Sequence, residues 1–161
     1  EHFRYFMRTV PSSVVIVTTT GNIGKRGFTV GSFCSLSLDP LMVSFNVSRH
    51  SQMFEALDGA EFFAVHPLSH DQQHLAVHFA LPGLSEDEQF ETLEFTESTD
   101  GIPLLDSCGG ILQCRIAHRF SAGDHDIVVG QVERIQLEDE PGPPLIYYNR
   151  AYTSVRGADD V

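Results

Sequence analysis

Apolar positions in this chain mostly alternate with polar ones or cluster in short runs, and only two stretches take a helical spacing. SSVVIVTTT (12–20) is β-branched and stops at the turn cluster GNIGKRG (21–27), while FTVGSFCSL (28–36) and PLMVSFNV (40–47) continue as strand-like segments. These three segments predict an antiparallel meander. In HSQMFEALDG (50–59), Met53, Ala56 and Leu57 recur at helical spacing, with Ser51 as N-cap and Gly59 as stop. EFFAVHPL (61–68) reads as a strand, and SHDQQHLAVHFA (69–80) as a second helix that opens on Ser69 and puts Leu75 and Phe79 on one face. GGILQCRIAHRF (109–120), HDIVVGQVERIQL (125–137) and PLIYYN (144–149) follow as strands of a second half-sheet. No repeat or linker separates them, and EPGPP (140–144) reads as a loop, so residues 1–161 predict one domain. Six or seven antiparallel strands with two short helices predict a mainly β fold, a β-barrel with helical plugs.

Composition narrows the partners. A chain of 161 residues, 42% hydrophobic, can bury a sizeable core, and no apolar run approaches the roughly 20 residues that span a bilayer. The net charge of −12 argues against nucleic acid or an anionic membrane surface as partner. That charge is uneven, since residues 1–50 carry +3 through Arg4, Arg8, Lys25, Arg26 and Arg49 against Glu1 and Asp39. SEDEQFETLEFTESTD (85–100) holds seven acids and no base, which predicts a solvated loop or helix face, or else a lid over a ligand site. Cys34, Cys108 and Cys114 form no C-x-x-C pair and read as small buried hydrophobes in a reducing compartment. The expected location is cytoplasmic, or organellar if a segment precedes Glu1.

Motifs with their own chemistry are scarce. The chain lacks G-x-G-x-x-G, G-x-S-x-G and H-E-x-x-H, and GNIGKRG lacks the ending of a phosphate-binding P-loop. His66, His70, His74 and His78 recur every four residues, and the last three would stack along one face of the 69–80 helix. With no Cys or carboxylate at ligand spacing, that stripe reads as exposed imidazoles rather than a metal site, and a metal-binding scaffold is the remotest reading. The stretch GFTVGSFCSLSLDP (27–40) is more informative, because Gly27, Thr29, Gly31, Ser32, Ser35 and Ser37 intersperse small polar positions among apolar ones. Scarce positive charge lies near it, as at a site for a phosphorylated ligand.

Six segments in order resemble the flavin reductase-like family, the short-chain NAD(P)H:flavin oxidoreductases. They are FRYFMRTVPSSVVIVTT, GFTVGSFCSLSLDP, FFAVHPLSHDQQHLAVHFA, DGIPLLDSCGGILQC, GDHDIVVGQV and PLIYYNRAY, which together span almost the whole chain. The resemblance implies a split β-barrel of the FMN-binding type, a homodimer, and reduction of FMN or FAD by NADH or NADPH, often to supply a separate monooxygenase. Thr29 and Ser32 would then address the flavin ring and ribityl chain. Ser35, Leu36 and Ser37 would offer donors toward the phosphate, with Arg49, Ser51 and Gln52 closing that end from the next loop.

The same resemblance puts Phe79 beside the flavin and His125 against the nicotinamide, where an imidazole could hydrogen-bond the carboxamide or help deliver a proton. Arg150 and Tyr152 would flank the cofactor from the other side. Two positions depart from the family pattern: the signature strand ends in one proline, Pro40, and His78 stands where an Arg often precedes the Phe. A flavin carrier without efficient NAD(P)H turnover is the second reading.

Overall fold

A computed structural model of the chain describes residues 1–106 and 108–155. In chain order its elements are helix α1 (His2–Met7), strands β1 (Ser12–Ser13), β2 (Val15–Gly21), β3 (Gly24–Val30), β4 (Cys34–Leu38) and β5 (Leu41–Ser48), helix α2 (Gln52–Ala56) and strand β6 (Phe62–Pro67). A single 3-10 turn (His70–Gln72) leads into α3 (Gln73–His78) and then α4 (Glu86–Phe90). Strands β7 (Phe95–Glu97), β8 (Pro103–Leu105), β9 (Gly110–Ala122), β10 (His125–Leu137), β11 (Leu145–Tyr148) and β12 (Ala151–Ser154) complete the fold.

Seven strands pair antiparallel in the order β3-β2-β6-β9-β10-β5-β4. The expected meander and second half-sheet are therefore both corrected. The predicted strand 28–36 breaks at residues 31–33, and its halves β3 and β4 lie at opposite edges of the sheet. β9 and β10 occupy the sheet's middle, and of the late strands only β11 and β12 leave it, to pair with β1. Three residues can reach only about 14 Å even when extended, so the sheet must curl until its two edges nearly meet. They do not join: β3 and β4 share no ladder.

The β-branched run of β2 explains its place inside the sheet, next to the edge strand β3. Val15 and Val17 enter one buried cluster with Phe45, Phe63, Val65 and Val128, whereas Val14 and Ile16 enter another with Leu75, Phe79, Phe90 and Leu145. Side chains alternate across a strand, so a segment buried on both faces must be apolar at every position. Gly130 in β10 is required by packing, since a Cβ there would lie 2.3 Å from the Phe63 ring.

Helices cover the β3 edge with directed hydrogen bonds. The outward backbone N–H of Lys25 donates to Glu86 Oε2 (3.0 Å), that of Gly27 to Gln89 Oε1 (3.0 Å), and that of Thr29 to the Phe79 carbonyl (3.3 Å). Gln89 Nε2 donates back to the Gly27 carbonyl, so one buried amide replaces a neighbouring strand. The acidic stretch 85–100 thus contains the cover of a sheet edge, which its charge pattern alone did not reveal. Its helix starts with a capping box between Ser85 and Glu88.

Three smaller expectations change. The 69–80 helix begins as a 3-10 turn; His66 lies apart and wholly buried on β6, and of the three imidazoles expected along one exposed face His70 and His74 are exposed, while His78 is half-buried with Nε2 bonded to the Gln89 carbonyl. Cys34 is exposed on β4 beside Ser44, whereas Cys108 and Cys114 are buried, which pushes their thiols up to about 11 and about 12. Helix α1, with five aromatic or basic side chains in six residues, was not among the predicted elements.

Candidate functional site

Beside the break in the 28–36 segment lies a cleft of about 460 Å³, between the β3 edge and the end of β5 with helix α2. Its walls come from residues 28–32, 46–48, 50–53 and 79–82, and Arg49 is not among them. Phe28, Val30, Met53 and Phe79 supply apolar surface, and Ser32, Ser48, Ser51 and Gln52 supply polar groups. Residues 31–33 belong to no strand, so their backbone groups lie outside the ladder. The outward row Lys25, Gly27, Thr29 has Gly31 as its next member, and Gly31 sits at the cleft.

Each polar side chain is positioned by local structure. Ser32 Oγ accepts from the Asn46 backbone N–H (2.9 Å), suturing the link to β5. Ser51 caps α2, and its hydroxyl donates to the Ser48 carbonyl (2.6 Å). Gln52 Oε1 accepts from the Gly83 N–H (3.1 Å), tying α2 to the loop that forms the far wall. Thr29 Oγ1 donates to the Ala76 carbonyl (2.7 Å), so its proton fastens α3 to the sheet and only its lone pairs remain for a ligand. The Phe79 ring is nearly fully buried, stacked at a tilt on Phe90, and shows the cleft one part of its surface.

The fold brings Thr29, Ser32, Ser51, Gln52 and Phe79 to one cleft. Ser35, Leu36 and Ser37 do not join them: β4 is the far edge strand, and these residues line none of the clefts found among the described residues. Arg49 follows β5 directly, but its guanidinium is held by Asp126, with Nε 2.8 Å from Oδ1. Arg49, followed by Arg119 and Ser121, keeps the Asp126 carboxyl below the usual carboxylate range despite partial burial.

His125 pairs in register with Ser48, so it stands one strand away from a cleft-lining residue. Its Nδ1–H donates to Asp124 Oδ1 (2.8 Å), which lowers the Asp124 carboxyl and leaves Nε2 as the ring's free polar atom. On the other side of Gly31, Arg150 lines a second cleft with Ser12, Ser13 and Ser32, and Tyr152 lines a small pocket with Thr29 and Tyr147. Burial raises the Tyr152 hydroxyl above its ordinary value.

The model of the flavin reductase like domain matches residues 7–156. The chain belongs to the flavin reductase-like family. It is 34% identical over 154 residues to an NADH:FMN oxidoreductase of Rhodococcus qingshengii, covering 93% of this chain and 79% of that protein. It is also 33% identical to the reductase component of 4-hydroxyphenylacetate 3-monooxygenase from Thermus thermophilus, over 94% of both chains. Among solved structures, the flavin reductase HpaC in complex with NADP+ superposes with a TM-score of 0.87 at 30% identity, over 96% of each chain.

A flavin reductase-like site needs apolar walls for a flat ring, donors at its rim and space between them. The cleft meets that description. Sequence reasoning missed Asn46, Ser48, Met53 and the 80–82 wall, of which only Met53 carried a signal, its helical spacing in the segment after Arg49.

Proposed function

We propose that this chain is an NAD(P)H:flavin oxidoreductase that reduces FMN or FAD by hydride transfer from nicotinamide. The observation that carries the reading is the convergence of residues 28–32, 46–48, 50–53 and 79–82 on one apolar-walled, polar-rimmed cleft in a member of the flavin reductase-like family. Bound flavin supplies the hydride-accepting chemistry, which accounts for the lack of a nucleophile motif.

The chain's own residues bind and orient. Phe28, Val30, Met53 and Phe79 exclude water from the ring, while Ser32, Ser51 and Gln52 offer hydrogen bonds along the rim. Arg49 contributes positive field toward the phosphate end, moderated by Asp126. His125, beside Ser48, contacts the nicotinamide and holds a proton at Nε2 or accepts one there. Thr29 keeps α3 and Phe79 in register with the sheet.

The same reading makes the curled sheet a split β-barrel, with 1–161 as one domain, and makes the protein a cytoplasmic homodimer. Leu36, Leu38 and Leu41 are exposed on and beside the unpaired edge strand β4, the sort of surface a second copy would cover. On that reading Ser35, Leu36 and Ser37 act at or near the subunit interface. The monooxygenase reductase relative supports delivery of reduced flavin to a separate oxygenase.

NADH consumption by purified protein, measured with and without added FMN, tests the function. Flavin-dependent oxidation is expected. Tight flavin binding with no turnover would instead establish a flavin carrier.

A further inference from the structure

We propose that Asp126 is a positioning residue whose carboxylate clamps the β5–α2 corner, residues 49–57, and thereby fixes one wall of the flavin cleft. That corner supplies His50, Ser51, Gln52 and Met53 to the cleft. Asp126 and Arg119 line no part of it, so their role is indirect. Calling the cleft a flavin site rests on the proposed function; the clamp rests on the contacts alone.

The carboxylate reaches both ends of the segment. Asp126 is buried on β10, in register with Val47 of β5 on one side and Ser121 of β9 on the other. Its Oδ1 accepts from Arg49 Nε (2.8 Å) and from the Ser121 hydroxyl (3.4 Å), and its Oδ2 lies 3.5 Å from Arg119 Nη2. Arg119 continues to the far end of the corner. Its Nη1 donates to the Leu57 carbonyl (3.4 Å), and its guanidinium sits over the Phe54 ring, 4.8 Å from the centroid. One anion therefore holds Arg49 ahead of α2 and, through a second guanidinium, Phe54 within the helix and Leu57 at its C-cap.

Helix α2 needs such a directional tie. It has five residues, too few to persist without tertiary contacts. Met53, Ala56 and Leu57 anchor its inner side in the core, but Ser51 is only half-buried and Gln52 is exposed where they line the cleft. Apolar contact is non-directional, whereas a carboxylate shared by two guanidiniums fixes orientation. An amide at 126 would offer one acceptor and turn an NH₂ donor toward another donor. Burying a carboxylate is costly unless it is paired, so the aspartate and its two arginines require one another.

Amide hydrogen exchange and riboflavin binding test the proposal together. In flavin-free protein, Asp126→Asn and Arg119→Met should each speed exchange across residues 51–57 about tenfold or more, with the β2 amides unchanged. Arg119→Met keeps an apolar stem over Phe54 and decides the matter if Asp126→Asn folds poorly. Riboflavin, which has no phosphate, should bind both variants about fivefold or more weakly than the wild type. FMN should lose less in Asp126→Asn, because Arg49 freed of its counter-ion attracts the phosphate more strongly. Unchanged exchange in 51–57, or faster exchange at unchanged riboflavin affinity, overturns the proposal, as does a lower Tm as the only effect. An effect of Asp126→Asn that a folded Arg119→Met does not share overturns the linkage through Arg119, and the proposal with it. Wild-type protein that binds neither riboflavin nor FMN would defeat the functional reading, while the exchange data would still decide the clamp.

Discussion

Acid should destabilise this protein through one histidine. His66 is wholly buried on β6, where Nδ1–H donates to the Ile16 carbonyl (3.3 Å) and bare Nε2 accepts the Leu105 N–H (3.2 Å). Both ring nitrogens are satisfied only in the neutral tautomer, because a proton on Nε2 would face another donor. Burial lowers the His66 pKa from 6.5 to about 4, opposed in part by the Ile16 carbonyl. An unfolded chain takes up this proton below pH 6.5 and the folded chain only near pH 4, so the stability is fully present above 6.5 and is lost as pH falls between those values. The gap amounts to about 3 kcal/mol, a large part of the roughly 5–15 kcal/mol of a typical domain. Urea denaturation across that pH range measures it, with His66→Gln as the variant that removes titration while keeping a donor and an acceptor. The difference between the two proteins' pH profiles isolates the imidazole from the carboxylates Asp71, Glu88, Asp124 and Asp126, whose lowered values place their own contributions further into acid. Parallel profiles, or an NMR titration of His66 near its ordinary value, would refute the reasoning.

Four further outcomes are expected. Gln89→Ala strips the Gly27 N–H and carbonyl of their partner and should cost about 2–4 kcal/mol in thermal or urea unfolding; a loss below about 1 kcal/mol would mean the β3 edge is satisfied otherwise. Gly27→Ala would put a Cβ 2.3 Å from the Phe79 ring, costing about 1–3 kcal/mol and raising the KM for flavin as that cleft wall shifts; an unchanged KM speaks against Phe79 as a wall. In His125→Ala, NADH oxidation should drop about tenfold or more with FMN affinity retained, and equal turnover would remove His125 from the reaction. Alkylation of the native protein should spare Cys108 and Cys114, as peptide mass analysis would establish, and labelling of either would contradict their burial.

The local elements were legible because each rests on nearest-neighbour physics. VVIV at 14–17 had to be buried, and Ser51 sits where a side-chain oxygen caps a helix. The strand break at 31–33 was not legible. Leu36 and Leu38 keep the alternation phase of Phe28 and Val30, so the pattern reads as one continuous strand. The structure instead buries Val30, half-buries Phe28 and exposes Leu36 and Leu38. Periodicity reports that a face is apolar; it cannot report whether the covering surface belongs to the same chain. Arg49 illustrates a second limit. Motif order made it a candidate for a phosphate site, but its pairing with Asp126 depends on β5 and β10 lying side by side, 77 residues apart along the chain.

The site's position follows from how the sheet ends. A fully closed sheet would pair β3 with β4, consuming their backbone groups and bringing the strands to about 4.8 Å, too close for an intervening ring. Here closure stops at Gly31–Phe33, and the β3 edge is satisfied up to Thr29 by Glu86, Gln89 and the Phe79 carbonyl. Protection of the edge therefore ends where the clefts begin. Gly31 and Ser32 line both openings. Lengthening the 31–33 link would relax the curl and should weaken flavin binding far more than stability, because the core clusters on both faces of β2 do not depend on the junction. Equal losses in both would show that the seam is part of the core rather than a gap left for a ligand.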